Sequence, residues 1–182
     1  MDRRDFLRLT TGGLLAACTE PLFAGTHSDF WDKPRRIWAK REVRKGVWEE
    51  VNEYYFVRGQ LYWPGYVAIC RFMRDTRENK SVQMSPVLFD ILYGMQGTFE
   101  LNGERRVIVL DSGYRTKRTN EAVGGVGDSR HMRGGAADVY FPGASVSFMK
   151  KIALNLRGGG VGFYPSNGFV HVDDGDLRIW RG

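Results

Sequence analysis

Residues 129–138 read Ser-Arg-His-Met-Arg-Gly-Gly-Ala-Ala-Asp, and this stretch decides how the chain folds around its most reactive side chains. It holds one of the three histidines of the sequence, seven residues before an aspartate. Gly134 and Gly135 let the backbone turn tightly between His131 and a strand that carries Asp138, because glycine adopts backbone angles that other residues avoid. The two polar side chains are therefore predicted to converge on one point.

A second stretch, Phe-Val-His-Val-Asp at 169–173, has the alternation of a strand. His171 and Asp173 then share one face of that strand. Two imidazoles and one carboxylate, from His131, His171 and Asp138, suit a zinc ion with an open fourth position, which is the pattern of hydrolytic sites. The spacing alone leaves a second interpretation open, in which both histidines are ordinary surface or core residues.

Outward from these stretches, periodicity and turn residues predict an α+β fold. The segments interpreted as strands are 36–44, 47–55, 106–111, 136–141 and 161–164, followed by 169–173 and 177–180 as a hairpin around Asp174-Gly175. The segments interpreted as helices are 66–76, 85–97 and 145–156, with a short helix or loop at 120–125. We expect helices packed on a small, mostly antiparallel sheet.

The composition is that of one folded domain. The 182 residues are 42% hydrophobic and 26% charged, which excludes a disordered, collagen-like or polytopic membrane protein. A chain of this length buries roughly 70% of its unfolded surface and needs no metal merely to fold, so a metal site would be functional. The net charge of +6 suits an anionic partner such as cell-wall polymer, acidic lipid or nucleic acid, without choosing among them.

Other conspicuous side chains receive structural interpretations. Two cysteines, Cys18 and Cys70, are too few for a disulfide scaffold or a zinc ribbon. Cys70 lies in an apolar helical pattern and is predicted to be a buried core residue, not a nucleophile. A group of aromatic residues is predicted to pack in the core and turns, with stacking on sugar or peptide as the alternative. These aromatic residues are Trp48, Tyr54, Tyr55, Tyr62 and Trp63.

The N-terminal residues predict export. Arg3-Arg4, a short and weakly apolar run at 9–18, and Ala24 are typical of a twin-arginine signal, and the run is too short to span a bilayer. The same residues also fit a basic amphipathic helix of a cytosolic protein. The residues before Cys18 resemble a lipobox, which would make that cysteine a lipid anchor. The expected organisation is a signal segment at 1–24, a linker at 25–35 and a domain at 36–182.

Four ordered motifs resemble those of the M15 family of zinc peptidases. The motifs are Ser-Gly-Tyr-Arg at 112–115, Ser-x-His-x-x-Gly-x-Ala-x-Asp at 129–138, Gly-Gly-Val-Gly-Phe-Tyr-Pro at 159–165 and Phe-Val-His-Val-Asp at 169–173. Their order and spacing together distinguish the resemblance from a single chance motif. Within the family the chain is most similar to the periplasmic murein endopeptidase K group, over 36–180 and most specifically after 107.

The resemblance implies a fold of the hedgehog and D-Ala-D-Ala peptidase type, with one Zn²⁺ bound by His131, Asp138 and His171. It also implies that Arg115 lies beside the scissile carbonyl, where one donor to the developing oxyanion is worth about 3 kcal/mol. The residues alone leave Arg115 open as a surface turn arginine. The substrate-binding residues that the resemblance implies are Tyr114 and Ser129; the latter is equally compatible with a loop or capping serine.

One position departs from the family pattern. Many M15 enzymes place a catalytic glutamate three residues before the third ligand, and here that position is Gly168. Asp173 shares a strand face with His171, so it is predicted either to act as the general base or to orient a ligand. Both roles stay open from the sequence.

The function implied is a periplasmic zinc-dependent murein endopeptidase that hydrolyses amide bonds in peptidoglycan crosslinks. The alternatives are a D-alanyl-D-alanine carboxypeptidase and a non-catalytic, zinc-stabilised cell-wall-binding module. The implied partner is the stem peptide of peptidoglycan, with no nucleic acid and with membrane contact only through a lipid anchor at Cys18. The protein is expected to be a monomer.

Overall fold

The structure, a computed structural model, describes residues 27–182. The predicted export signal, including Cys18 and Ala24, lies outside the described residues. Within 27–182, no helix combines the length and the apolar character needed to cross a bilayer.

The helices are α1 (His27–Asp32), α2 (Trp63–Phe72), α3 (Pro86–Leu101), α4 (Lys117–Ala122), a 3₁₀ helix (Arg130–Arg133) and α5 (Val146–Leu156). The strands are β1 (Arg35–Arg44), β2 (Val47–Val57), β3 (Gln60–Leu61), β4 (Ile108–Ser112), β5 (Ala136–Tyr140), β6 (Val161–Tyr164), β7 (Phe169–Asp173) and β8 (Ile179–Arg181).

The strands of the described region form one eight-stranded sheet in the order β3-β2-β1-β4-β5-β7-β6-β8. β1 pairs in parallel with β4, and β6 pairs in parallel with β8. The other pairs are antiparallel. The α+β class and the mostly antiparallel sheet are confirmed, although the sheet is larger than the small one predicted.

The two faces of the sheet differ because strand side chains alternate. One face packs against α2, α3 and α5 and forms the core. Its buried strand residues include Ile37, Ala39, Ile108, Leu110, Ala137, Val139, Val161, Val170 and Val172. The alternate positions point to the opposite face, called the open face here because these three helices lie on the other side. The polar stretches of the sequence analysis therefore reach the open face, while their apolar neighbours build the core.

α3 is the central helix of the core. Ser85 precedes it and Pro86 begins it, which suits a first turn whose backbone N–H groups lack helical partners. The buried amide of Gln96 ties the helix to β1: its Oε1 accepts from Trp38 N at 3.1 Å, and its Nε2 donates to Trp38 O at 2.9 Å and Arg106 O at 2.6 Å. These bonds satisfy backbone groups that would otherwise be buried without partners.

Residues 27–32 are helical, so this part of the predicted linker is wrong. Phe30 in α1 is buried against the core, stacked on Tyr93 with ring centroids 4.6 Å apart. A Cβ on Gly97 would lie 2.1 Å from the Phe30 ring. Gly97 is therefore a packing contact inside α3, not its end, and the helix continues to Leu101.

The predicted hairpin of 169–173 with 177–180 is wrong. β6 lies between the two strands, antiparallel to β7 and parallel to β8. The turn at Asp174-Gly175 forms around the carboxylate of Asp173, whose Oδ1 accepts from Gly175 N at 2.8 Å. It does not bring β8 next to β7. Trp180 then packs on Gly162, where a Cβ would lie 2.5 Å from the indole.

A buried carboxylate, Asp75, joins the loop after α2 to the start of α4. Its Oδ2 accepts from the backbone N and the Oγ1 of Thr116 at 2.9 Å each, and its Oδ1 accepts from Arg77 N at 2.9 Å. Burial alone would raise the pKa of the Asp75 carboxyl, but hydrogen bonds to its charged form lower it to about 2. The carboxylate thereby holds the segment that carries Arg115 against the body of the domain.

Replacing Asp75 by Asn should destabilise the fold by about 2 to 3 kcal/mol at pH 7, because hydrogen bonds lower the pKa of the carboxyl to about 2 in the folded protein, below its ordinary value of about 3.9 in the unfolded chain. A depressed carboxyl pKa contributes stability that is present above about pH 4 and is lost as the pH falls towards 2. Denaturant unfolding of both proteins between pH 7 and pH 2.5 measures this contribution.

The difference in unfolding free energy between the wild type and Asp75→Asn should shrink as the pH falls. A difference that does not depend on pH contradicts a stabilising charge on Asp75. Asp176→Asn removes an exposed carboxylate and serves as the matched control, with no change expected.

Candidate metal centre

Three buried side chains meet at the open face. His131 Nε2 lies 3.2 Å from His171 Nδ1 and 3.3 Å from Asp138 Oδ1, and the last two atoms are 2.8 Å apart. The side chains come from the 3₁₀ helix, β7 and β5, and Asp138 and His171 are direct cross-strand partners. The structure thus brings together the three residues that the sequence predicts to converge, and we call them the ligand triangle.

In each imidazole, the nitrogen that points away from the ligand triangle has a hydrogen-bond acceptor, and this hydrogen bond determines the tautomer of the ring. His131 Nδ1 donates to Gly113 O at 2.6 Å, and His171 Nε2 donates to Asp173 Oδ2 at 3.0 Å. A neutral ring that donates from one nitrogen keeps a lone pair on the other. When both rings are neutral, their free lone pairs therefore face the interior of the ligand triangle, as in metal sites whose histidines are oriented by an outer acceptor.

The two glycines after the 3₁₀ helix make this convergence possible. Gly134 has φ +70°, and a Cβ there would lie 2.9 Å from Gln83 O. At Gly135 a Cβ would lie 2.4 Å from Asp174 Oδ1. A side chain at Gly134 would therefore strain the backbone and push the 3₁₀ helix that carries His131 away from residue 83, whereas one at Gly135 would displace the Asp174 carboxylate.

Asp138 is 5% exposed and carries a charge that its surroundings stabilise. Burial alone would raise the pKa of its carboxyl, but the His131 and His171 imidazoles more than offset this and hold the pKa well below its usual range. Its Oδ2 also accepts a hydrogen bond from Arg115 Nη2, while Arg115 Nε donates to Ser112 Oγ at 2.7 Å. One oxygen of Asp138 is thus held by a guanidinium, and the other faces the ligand triangle.

Asp173 lies behind His171, on the side of the ring that faces away from the ligand triangle. It is fully buried and accepts on both oxygens: from Gly160 N at 3.2 Å, Gly175 N at 2.8 Å, His171 Nε2, and Arg178 Nη1 and Nη2 at 3.2 and 2.6 Å. Burial would raise the pKa of its carboxyl, but these partners lower it to about 2. The same two carboxylates raise the pKa of His171 despite its burial.

A cleft of about 540 Å³ opens over the ligand triangle. Three aromatic residues form one wall: Phe169 stacks on Tyr164 at 4.5 Å, and Trp180 donates from Nε1 to Tyr164 Oη at 3.0 Å. Trp180 also lies 5.1 Å from the His171 ring. The loop after α4 also lines the cleft, with residues 123–126 and Asp128. Reactants can therefore reach the ligand triangle between an aromatic wall and a loop.

The sequence analysis missed Trp180, Tyr164 and Arg178 as site residues. Alternation could have placed Tyr164 on the face of the ligand triangle, since it pairs with Phe169, two residues from His171. Trp180 and Arg178 depend on β8 crossing to the far side of β6, which no local pattern indicates.

The remaining residues of interest lie in different places. Ser129 is 7% exposed, lines the cleft, and makes no capping hydrogen bond to the 3₁₀ helix. Tyr114 lines a smaller neighbouring cavity of about 270 Å³ and packs partly against the core. Gly168 occupies the β6–β7 turn with φ +81°, a conformation that disfavours a glutamate there. Cys70 is buried and burial raises the pKa of its thiol, which confirms the core interpretation.

The ligand triangle fits a divalent metal ion. Tetrahedral zinc bonded at about 2.0–2.1 Å separates its ligand atoms by about 3.3 Å. The three separations here, 2.8 to 3.3 Å, lie close to that value. Within residues 27–182, His131, Asp138 and His171 are the one group of three or more His, Cys, Asp or Glu side chains whose ligand atoms converge in this way.

Comparisons with known proteins identify the family of this chain. A family model described as "Peptidoglycan L,D-endopeptidase MepK", of the M15 peptidases, matches residues 36–180. Peptidoglycan L,D-endopeptidase MepK of Escherichia coli K12 is 43% identical over 114 residues, 60% of this chain and 61% of that protein. The probable peptidoglycan L,D-endopeptidase MepK of Haemophilus influenzae is 40% identical over 116 residues, with the same shares. The chain thus spans about 61% of the length of these relatives.

The purified protein should bind one equivalent of Co²⁺, a spectroscopic probe for such sites, with the absorption of a low-symmetry, four- or five-coordinate ion. His131→Ala and His171→Ala should each weaken binding by more than about 100-fold, because loss of a ligand exceeds the 10–100-fold loss typical of an outer partner. Titration followed by absorbance measures the affinity, and circular dichroism checks the fold.

His27→Ala, which removes the third histidine of the chain, is the matched control and should bind like the wild type. Retention of wild-type affinity by His171→Ala would exclude the ligand triangle as the metal site.

Proposed function

This chain belongs to the M15 peptidase family whose model is described as peptidoglycan L,D-endopeptidase MepK, and from that premise we propose that it is a zinc-dependent murein endopeptidase. The reaction proposed is hydrolysis of amide bonds in the peptide crosslinks of peptidoglycan. Family membership also supports a fold of the hedgehog and D-Ala-D-Ala peptidase type.

The observation that carries this proposal is the ligand triangle with its outer hydrogen bonds. Three protein ligands are the number found in catalytic zinc sites, whereas structural sites are closed by four. The buried rings of His131 and His171 present lone pairs to one point, and the cleft reaches that point from solvent. A site built only for stability would not need this access.

Zinc bound by the ligand triangle supplies Lewis acidity, which polarises a carbonyl and lowers the pKa of water. The task of the protein is to hold the substrate amide at that point. Ser129, in the cleft wall, is proposed to hydrogen-bond the substrate, and Tyr114 is proposed to contact it from the neighbouring cavity.

Arg115 is proposed to stabilise the negative charge that develops on the carbonyl oxygen. Its contacts with Asp138 and Ser112 hold the guanidinium at the edge of the ligand triangle, in the wall of the cleft. Its Nη1 is used in neither contact. A donor held in place before the reaction needs no reorganisation when charge develops, which is why such groups lower barriers.

Asp173 is proposed to be a positioning residue for His171. Of the two roles that the sequence leaves open, orientation of a ligand has the stronger support, because the carboxylate faces the outward nitrogen of the ring and is occupied by backbone and Arg178 donors. A carboxylate so placed fixes the ring and strengthens its basicity.

Crosslink cleavage is favoured over removal of a terminal residue by the shape of the site. The cleft and the smaller cavity share Arg115, Val123, Asp138 and Phe169 in their walls. Substrate can therefore extend beyond the ligand triangle in two directions, which an endopeptidase needs and a carboxypeptidase does not.

The proposed compartment is the periplasm, because the proposed substrate is peptidoglycan. The twin-arginine-type signal at 1–24 and the alternative lipid anchor at Cys18 remain predictions for residues outside the described region. The domain predicted at 36–182, together with the helix at 27–32 that packs on it, is proposed to act as a monomer, because the ligand triangle is complete within one chain.

Incubation of the zinc-loaded protein with defined muropeptides tests the function. Conversion of crosslinked dimers to monomers is the expected result, because the amide of the crosslink is the bond placed at the ligand triangle. Release of free D-alanine instead indicates a carboxypeptidase, and unchanged muropeptides with retention on sacculi indicate a binding module; either outcome contradicts the proposal.

Asp173→Asn distinguishes the two roles of this residue. As a positioning residue, its substitution should weaken metal affinity by about 10–100-fold, and excess zinc should restore much of the turnover. Loss of turnover at unchanged metal affinity would instead identify a general base. Competition with a chelating dye measures the affinity, and Asp176→Asn, three residues away and exposed, is the control.

A further inference from the structure

The β1–β2 hairpin carries a row of aromatic rings on the open face. Trp48 pairs across the strands with Glu42, and Tyr54 pairs with Arg36; Trp38 lies between them along the hairpin. Trp48 is 48% exposed and Tyr54 is 44% exposed. The prediction that these two rings pack in the core or in turns is therefore wrong, whereas Tyr55 is buried as predicted.

Each ring of the row has a cation over one of its faces. The distances to the ring centroids are 5.1 Å from Lys40 Nζ to Trp48, 5.1 Å from Arg105 Cζ to Trp38 and 5.9 Å from Arg36 Cζ to Tyr54. Such contacts stabilise the rings in place. Arg36 and Arg105 also form ion pairs with Glu100 at 3.8 and 3.7 Å, and Glu50 lies across from Lys40, so the row carries charges of both signs. A ligand of this row is therefore recognised by ring stacking and hydrogen bonds and not by a single sign of charge.

Polar groups lie among the rings. Glu50 Oε1 accepts from Trp38 Nε1 at 2.6 Å, and the exposed Asn52 lies opposite Trp38. A surface that alternates aromatic rings with hydrogen-bonding groups matches a saccharide, whose rings have apolar C–H faces and hydroxyl edges. A lipid tail or an apolar protein surface would leave these polar groups without partners.

The row has the dimensions of a linear polymer site. Tyr54 lies six positions after Trp48 on β2, which corresponds to about 20 Å along the strand. Three inter-strand steps lead from β2 through β1 and β4 to β5, a distance of about 14 Å at about 4.8 Å each. An extended peptide covers that distance in about four residues.

We propose that Trp48, Trp38 and Tyr54 bind the glycan backbone of peptidoglycan along the hairpin, while a stem peptide crosses β4 to the ligand triangle. The inference rests on the proposed function for the identity of the polymer. It adds a second contact region on the same face of the sheet, with the sugar chain parallel to the strands and the peptide perpendicular to them.

Titration with soluble, peptide-free glycan chains tests the proposal without requiring catalysis. Trp48→Ala and Tyr54→Ala should each weaken binding roughly tenfold, as expected for loss of an exposed aromatic anchor. Trp48→Phe keeps a ring and should bind within about threefold of the wild type. Trp63→Ala, which removes a tryptophan that is 54% exposed on α2, is the matched control and should bind unchanged.

In the titration, the proposal is overturned by no binding of peptide-free glycan to the wild type, by equal binding to Trp48→Ala, or by an equal loss in Trp63→Ala. Self-association of the wild type that Trp48→Ala abolishes would also overturn it, because a second copy would then cover the row. If the protein binds glycan through Trp48 but cleaves no crosslink, the endopeptidase function is refuted and the glycan site is not. If the protein cleaves crosslinks and Trp48→Ala leaves its glycan binding unchanged, the glycan site is refuted and the endopeptidase function is not.

Discussion

The burial of Asp138 is the constraint on which the rest of the site depends. A carboxylate that is 5% exposed keeps its charge only if its surroundings replace the lost water, because an unpaired buried charge is strongly unfavourable. Arg115 satisfies one oxygen, and the imidazoles of His131 and His171 lie beside the other. The end of β4, the 3₁₀ helix, β5 and β7 must therefore all meet at this point, and each position in the site follows from that requirement.

Much of this arrangement can be predicted from the sequence, because it is encoded locally. Alternation predicts the strands that carry Asp138 and His171, and the two glycines predict the turn between His131 and Asp138. The outer acceptors are harder to predict. Gly113 acts through a backbone carbonyl, which any residue would supply, and Asp173 could be a base or a positioning group until its distance from the ligand triangle is known.

The parts of the fold that could not be predicted depend on contacts between distant residues. α1 is held by Phe30, which packs on a glycine of α3, and by Trp31, which packs on Tyr93; two such rings leave no periodic pattern. β8 pairs in parallel with β6, and the adjacent Asp-Gly turn is typical of a hairpin that does not form. The exposure of Trp48 likewise follows from which face of the hairpin meets α2 and α3, a property of packing and not of local sequence.

The two faces of the sheet thus differ in what they contact. Apolar residues on one face pack against the helices, and the opposite face carries the ligand triangle and the aromatic row. The central claim is that His131 Nε2, His171 Nδ1 and Asp138 Oδ1 hold one metal ion. Anomalous diffraction at the zinc absorption edge, from crystals grown with one equivalent of zinc, tests it most directly. The account predicts a single strong peak about 2.0–2.2 Å from these three atoms. A peak elsewhere in the chain, or one approached by the Nε2 atom of His171, would contradict it.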